Sequence, residues 1–252
     1  FMKAVKNREM ESVREMLSLM NATVLNSIKA ECGWTPLLIA CREGYDDVVE
    51  ILIGAGVDVE KSNNWTPLHL ACAKGHKRIV ELLIKAGAVL GRLDNEWWTP
   101  LHIACGTDHK EIVEMLLNAG VDKDKSGRFH ETPIFVACDR GLLEIVQTLI
   151  AAGVDVNKEN MNGNTPLGVA CEHQNIKLVE LLLAANAHLE FGKGDSALHH
   201  AIHQWVSSGT QVVSTLLKHG ADVNKQNSHG ATPLHLACSA YALDSNILLQ
   251  HG

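Results

Sequence analysis

The stretch TPLHLAC at residues 66–72 returns with small changes along the whole chain. It reads TPLLIAC at 35–41, TPLHIAC at 99–105, TPIFVAC at 132–138, TPLGVAC at 165–171, SALHHAI at 196–202 and TPLHLAC again at 232–238. The starting residues step by 31, 33, 33, 33, 31 and 36, so one supersecondary unit is being repeated. An eighth copy, AVKNREMESVREML at 4–17, aligns with ACREGYDDVVEILI at 40–53 but lacks the opening turn.

Each unit has a physical reading. Thr66 can cap a helix N-terminus with its side-chain oxygen, and Pro67 suits the first helical position. Leu68, Ala71 and Cys72 then fall at i, i+3 and i+4, on one buried face. Gly75 interrupts, and RIVELLIKAG at 78–87 forms a second apolar helix that Gly87 closes in the left-handed conformation. Gly56, Gly120, Gly153 and Gly220 repeat that stop, and Asn186 takes the place once. One such helix pair cannot bury its own apolar face, so neighbours must stack.

The pattern resembles the ankyrin repeat, in which two short antiparallel helices are followed by a β-hairpin-like finger. The resemblance covers essentially the whole chain and implies an all-α solenoid, one elongated domain over residues 1–252. A partial repeat spans 1–30, and further repeats start near 33, 64, 97, 130, 163, 194 and 230. The implied shape is a curved rod, roughly 80 Å long at about 10 Å per unit, with fingers and first helices lining its concave face.

Composition excludes several function classes. The chain is 46% hydrophobic and carries a formal charge of −7, and neither half is basic, which argues against nucleic acid as a partner. No apolar run is long enough for a membrane span, and no signal-peptide pattern opens the chain. It begins at Phe1, and its last unit, SAYALDSNILLQHG at 239–252, has little charge for a terminal cap. Both features read as a segment of a longer protein with more chain after Gly252.

Six of the seven cysteines (Cys41, Cys72, Cys105, Cys138, Cys171 and Cys238) share one repeat position, about 10 Å apart along the stack. That is too far for disulfides or a shared zinc, so they read as small buried hydrophobes. A row of reduced thiols fits an intracellular, cytoplasmic location. His69, His102, His199 and His235 fill the fourth motif position, which in ankyrin repeats is a structural hydrogen-bonding histidine. His200 and His203, in HHAIH at 199–203, lie outside that role and form a polar patch titrating near pH 6.5. FGKGDS at 191–196 lacks the spacing of a phosphate loop. No catalytic set stands apart from the repeat, so the expectation is a non-enzymatic segment without cofactor, metal or small-molecule substrate.

Function is then sought at positions the scaffold leaves open. The finger residue before Thr-Pro reads Trp34, Trp65, Trp98, Glu131, Asn164, Asp195 and Ala231, with Phe129 close to Glu131. Four of the five tryptophans lie in fingers, and large amphipathic aromatics are enriched at binding hot spots. Each indole could instead pack on its neighbouring finger. One repeat of about 10 Å matches three residues of extended peptide. The acidic finger residues Glu31, Glu60, Asp94 and Glu96 would favour a basic one, with cation–π contacts. Arg42, Lys74 and Arg140, with Glu43, Asp139 and Glu172, form a mixed-charge rim on the first helices. Trp205 lies on a Ser/Gly-rich insertion at 202–211, either a second contact point or folded back on its neighbour. Trp97 has no counterpart in other units.

The resemblance also marks Asn157 and Asn224, each in an AspValAsn string eight residues after a leucine, as candidates for asparaginyl hydroxylation. The alternative is that they stabilise the turn. The expected function is a protein-interaction module that binds a protein or extended peptide. Its parent would be an adaptor, the substrate-recognition part of an enzyme such as a ubiquitin ligase, or the cytoplasmic part of a channel.

Overall fold

Thr66 does what its position requires. Its Oγ1 accepts from the His69 amide at 3.3 Å, Pro67 opens the helix, and Gly75 ends it at φ 74°. Thr35, Thr99, Thr132 and Thr165 cap their helices in the same way, each with proline next. The structure is a computed structural model that describes residues 1–30, 33–191, 194–203, 210–239 and Leu248. Glu31, Gly192, Lys193, Trp205, the His203 side chain and, Leu248 apart, residues 240–252 lie outside the described residues.

The chain divides into two compact units, Phe1–Asp122 and Lys123–Gly252. The first contains α1 (Met2–Lys6), α2 (Met10–Ser18), α3 (Ala22–Ser27), α4 (Pro36–Glu43), α5 (Asp46–Gly54), α6 (Pro67–Lys74), α7 (Lys77–Lys85), α8 (Pro100–Gly106) and α9 (Lys110–Asn118). First helices stack on first helices, α1 on α4, α4 on α6 and α6 on α8. Second helices do the same, α2 on α5, α5 on α7 and α7 on α9. The N-terminal copy is a true helix pair, and Arg8 docks it by three contacts to Asp47 at 3.1–3.2 Å. The helix α3, capped by Asn21, was not legible in the sequence period.

The second unit opens with a single 3-10 turn at Arg128–His130. It continues with α10 (Pro133–Asp139), α11 (Leu143–Ala151), α12 (Pro166–Glu172), α13 (Ile176–Ala184), α14 (Ala197–His203), α15 (Thr210–Lys218) and α16 (Pro233–Ser239). Here α10, α12, α14 and α16 stack in order, as do α11, α13 and α15. The described residues contain no β-strand, only isolated bridges.

From α5 onward the core is a repeated trio on each second helix. Val48, Val49 and Leu52 recur as Ile79, Val80 and Leu83, as Ile112, Val113 and Leu116, and onward to Val212, Val213 and Leu216, all 0–1% exposed. Each such side chain contributes about 1.5–3 kcal/mol by leaving water. After the second helices, the left-handed positions are those the sequence pattern marks, from Gly56 at φ 78° to Asn186 at φ 62°.

The cysteine row needs one correction. Cys41, Cys72, Cys105, Cys138 and Cys171 are buried, but Cys238 is exposed, because no described first helix stacks on the outer side of α16. Burial pushes the thiols of Cys41, Cys72, Cys138 and Cys171 far up. They are therefore protonated and shielded at neutral pH. Mapping by mass spectrometry after brief treatment with a thiol reagent should find Cys238 labelled and those four unlabelled until the chain is denatured.

A second stitch between repeats runs through histidines the sequence reading passed over. A Cβ on Gly75 would lie 2.6 Å from the His109 ring, and a Cβ on Gly44 equally close to His76. His76 Nε2 donates to the Arg42 carbonyl at 3.2 Å. Gly75→Ala combines that clash with a left-handed backbone, and thermal unfolding should show it destabilised by about 1–2 kcal/mol.

Candidate binding surface

The fingers are five-residue turns closed by one backbone bond. The amide of Ala30 donates to the Trp34 carbonyl at 2.8 Å, Asp94 to Trp98 at 2.9 Å, Gly127 to Glu131 at 2.8 Å, Asn160 to Asn164 at 2.9 Å and Asn227 to Ala231 at 2.9 Å. Where an Asp or Asn leads the turn, its Oδ1 accepts two further amides. Asp94 takes those of Glu96 and Trp98, and Asn160 those of Asn162 and Asn164. The residue before the finger position is left-handed: Gly33, Gly163 and Gly230, but also Asn64, Trp97 and His130.

Motif histidines tie fingers to the preceding helix. Thr66 N donates to His69 Nδ1 at 3.2 Å, so that nitrogen is an acceptor, and Nε2 donates to the Trp98 carbonyl at 3.1 Å. His199 repeats this with Ser196 and the Ala231 carbonyl. Both nitrogens of His69 are thus committed in the neutral form, and burial holds its pKa below the ordinary value. Leu38, Phe135 and Gly168 stand in the same place without the bridge. Over Gly168 lies the Phe191 ring, which in turn meets His200 at 5.6 Å.

The finger tryptophans are half-buried. Trp34 is covered on one side by the Arg42 guanidinium, 4.8 Å from its centroid, and Arg42 also bonds Glu43 at 2.6 Å. Trp65 leans on His69 at 6.5 Å and Trp98 on His102 at 5.2 Å. Packing and exposure are therefore combined in each indole. In the second unit Phe129 is 52% exposed, with Arg128 stacked 4.8 Å above it. Lys74 and Arg140 are exposed at the ends of their first helices.

The acidic finger residues divide. Glu60 accepts the Val89 amide at 2.8 Å and pairs with Arg92 at 3.3 Å, and Asp94 is spent on its turn. Glu96 is exposed. His200 lines a cavity of about 440 Å3 with Asn164, Glu172, Asp195, Asn227 and His229, and its Nδ1 is 4.0 Å from Glu172. Among the described residues no group of three His, Cys, Asp or Glu is placed to hold a metal ion. No described helix is long and apolar enough to cross a membrane.

Asn157 joins two loops: its Oδ1 accepts the His188 amide at 2.7 Å and its Nδ2 donates to the Asn186 carbonyl at 3.3 Å. Asn26 to Asp58 and Asp124 to Asp155 are the same stitch one or more repeats earlier. Asn224 is exposed, and its amide donates to Asp222.

Trp97 was the residue the sequence left without a role, and the backbone supplies the missing fact. It is 63% exposed and sits at φ 67°, where three other fingers have glycine. A bulky side chain there costs about 1–2 kcal/mol.

Stacked helix pairs, Thr-Pro caps and histidine-anchored finger turns define a helical repeat protein of protein-interaction type. The chain belongs to the ankyrin repeat family: the profile described as "Ankyrin repeats (3 copies)" matches residues 1–94, 53–127, 87–160, 119–191, 134–227 and 185–252. Among solved structures, the human ASB11 ankyrin repeat domain is similar over 87% of this chain and 98% of its own, at 30% identity and a TM-score of 0.75. Protein phosphatase 1 regulatory subunit 27 of Homo sapiens and of Mus musculus is 50% identical over 34 residues, 14% of this chain. The match spans only 22% of those two relatives, the length of a single repeat.

The His69 bridge has a pH signature. The unfolded chain takes up a proton near the ordinary histidine value, whereas folded His69 resists it. Stability from this group is thus present above about pH 6.5 and lost as pH falls through that value toward the lower folded pKa. His69→Leu, borrowing the residue of the first repeat, should give a shallower fall of Tm with acid than the wild-type protein.

Proposed function

We propose that this chain is a non-enzymatic recognition module whose fingers bind a basic, extended segment of a partner protein. One observation carries the reading: three consecutive fingers of the first unit hold a half-exposed indole, Trp34, Trp65 and Trp98, at one register position. Repetition at about 10 Å suits a ligand that presents a side chain every third residue. Arg42 and Lys74 form the polar rim of that surface, and Phe129, Arg140, His200 and His203 are contact candidates of the second unit. The 34-residue likeness to the phosphatase regulatory subunit is one repeat of shared scaffold and brings no partner with it. Asn157 and Asn224 remain the proposed positions for hydroxylation, and at Asn157 the bridge to His188 has to open first.

Affinity capture from cell extract tests this directly. The Trp65→Ala/Trp98→Ala double variant should keep the helical circular dichroism and lose bound partner by about 30-fold or more, the scale of one or two hot spots. Unchanged capture by a folded variant contradicts the reading.

A further inference from the structure

Two repeats begin only 31 residues after their predecessors, at Thr66 and Ser196, and each carries a glutamate six residues before that start, Glu60 and Glu190. Their surroundings correspond by position. Arg92 and Lys225 lie seven residues before the next repeat's threonine, and Val89 and Asp222 lie ten residues before it. In the first unit this set closes into a stitch. Glu60 accepts the Val89 amide at 2.8 Å through Oε1 and the Arg92 guanidinium at 3.3 Å through Oε2.

The same stitch stays open in the second unit. Glu190 is half-buried, yet both of its carboxylate oxygens are hidden from solvent, and neither has a hydrogen-bond partner among the described residues. Lys225 stands in the place of Arg92, but its Nζ is 3.7 Å from Oε2, near enough for an ion pair and too far for a hydrogen bond. Asp222 stands in the place of Val89. Burial, with repulsion from the Asp222 carboxylate added, raises the Glu190 pKa above the ordinary value. A buried acceptor without a donor costs stability.

Glu190 also borders an open cleft of about 550 Å3, with Phe191, Lys225 and Ser228 in its wall, a size usual for ligand sites. Gly194 presses its finger on the next, where a Cβ would overlap the Ser228 backbone, so this wall is preformed. The stem of Glu190 is the part in solvent, and a change of side-chain rotamer presents its carboxylate to the cleft. The cation of the stitch is already supplied by Lys225. What Glu190 lacks, against Glu60, is the backbone amide.

We propose that this cleft binds the main chain of an extended partner segment: a backbone N–H of the segment donates to the Glu190 carboxylate, as Val89 does to Glu60, and a neighbouring carbonyl accepts from Lys225 Nζ. The site lies in the second unit and reads peptide backbone, so it is separate from the tryptophan surface of the first unit.

The probe is a short alanine peptide blocked at both ends, with its N-methylated counterpart, which has no N–H to donate. Both are titrated into the full chain while the carboxyl carbon of Glu190 is followed by NMR. The plain peptide should shift that signal saturably and the N-methylated peptide should not. Glu190→Gln, followed on the Lys225 and Ser228 amides, should weaken binding about tenfold, as a charged acceptor becomes a neutral one. Trp65→Ala/Trp98→Ala should bind the blocked peptide as the wild type does, so the two surfaces succeed or fail separately. Thermal unfolding supplies the control. Glu60→Gln should lower Tm by roughly 2–4 °C, whereas Glu190→Gln should hold or raise it, because no hydrogen bond is lost. Equal shifts with both peptides, no shift with either, or unchanged binding to Glu190→Gln overturns the proposal. Equal falls of Tm in the two variants overturn it too, since Glu190 would then be a finished scaffold contact.

Discussion

The bond from His69 Nε2 to the Trp98 carbonyl is where scaffold and surface meet. A pair of helices of eight and nine residues cannot bury its apolar face, so each unit exists only against its neighbours. Stacking alone would leave the finger free to swing. The buried, neutral His69 fixes it by holding the backbone of the residue whose indole faces outward. Trp98 is therefore a hinge between roles, main chain in the scaffold and side chain in half-open solvent. His199 performs the same service for Ala231, a finger with no side chain to present. The scaffold thus holds fingers with or without an aromatic side chain, and the finger residue varies without a change in fold.

Much of this was legible before any coordinates. The Thr-Pro caps, the glycine stops and the trio of apolar residues on each second helix obey local rules that a period of 33 residues repeats until they are unmistakable. Asn186 could be placed in the left-handed position on the same logic, and its φ of 62° agrees. The mild departures were harder. The helix α3 occupies a segment with no counterpart in later units, and the packing of His109 over Gly75 depends on distance between repeats rather than on spacing within one. Cys238 matches the cysteine position by sequence, but burial depends on a neighbour, and the described residues place none over it.

The candidate surface was only half legible. Composition and register picked out Trp34, Trp65 and Trp98, but they could not show that Arg42 covers Trp34 or that Trp65 and Trp98 lean on their motif histidines. Nor could sequence weigh the acidic residues, since Glu60 and Asp94 are equally charged on paper and both serve the scaffold in space. Trp97 is the opposite case. It looked like an accident beside Trp98 until its backbone angle showed that it stands in a glycine's place.

The central claim is that the scaffold holds indoles outward to be read by a partner. Fluorine NMR of protein carrying 5-fluorotryptophan tests it most directly, because the chain has five tryptophans and each can be assigned by substitution. Titration with the captured partner should move the Trp65, Trp97 and Trp98 signals and leave the helical signature unchanged. A partner that binds while all three signals stay in place would contradict the account.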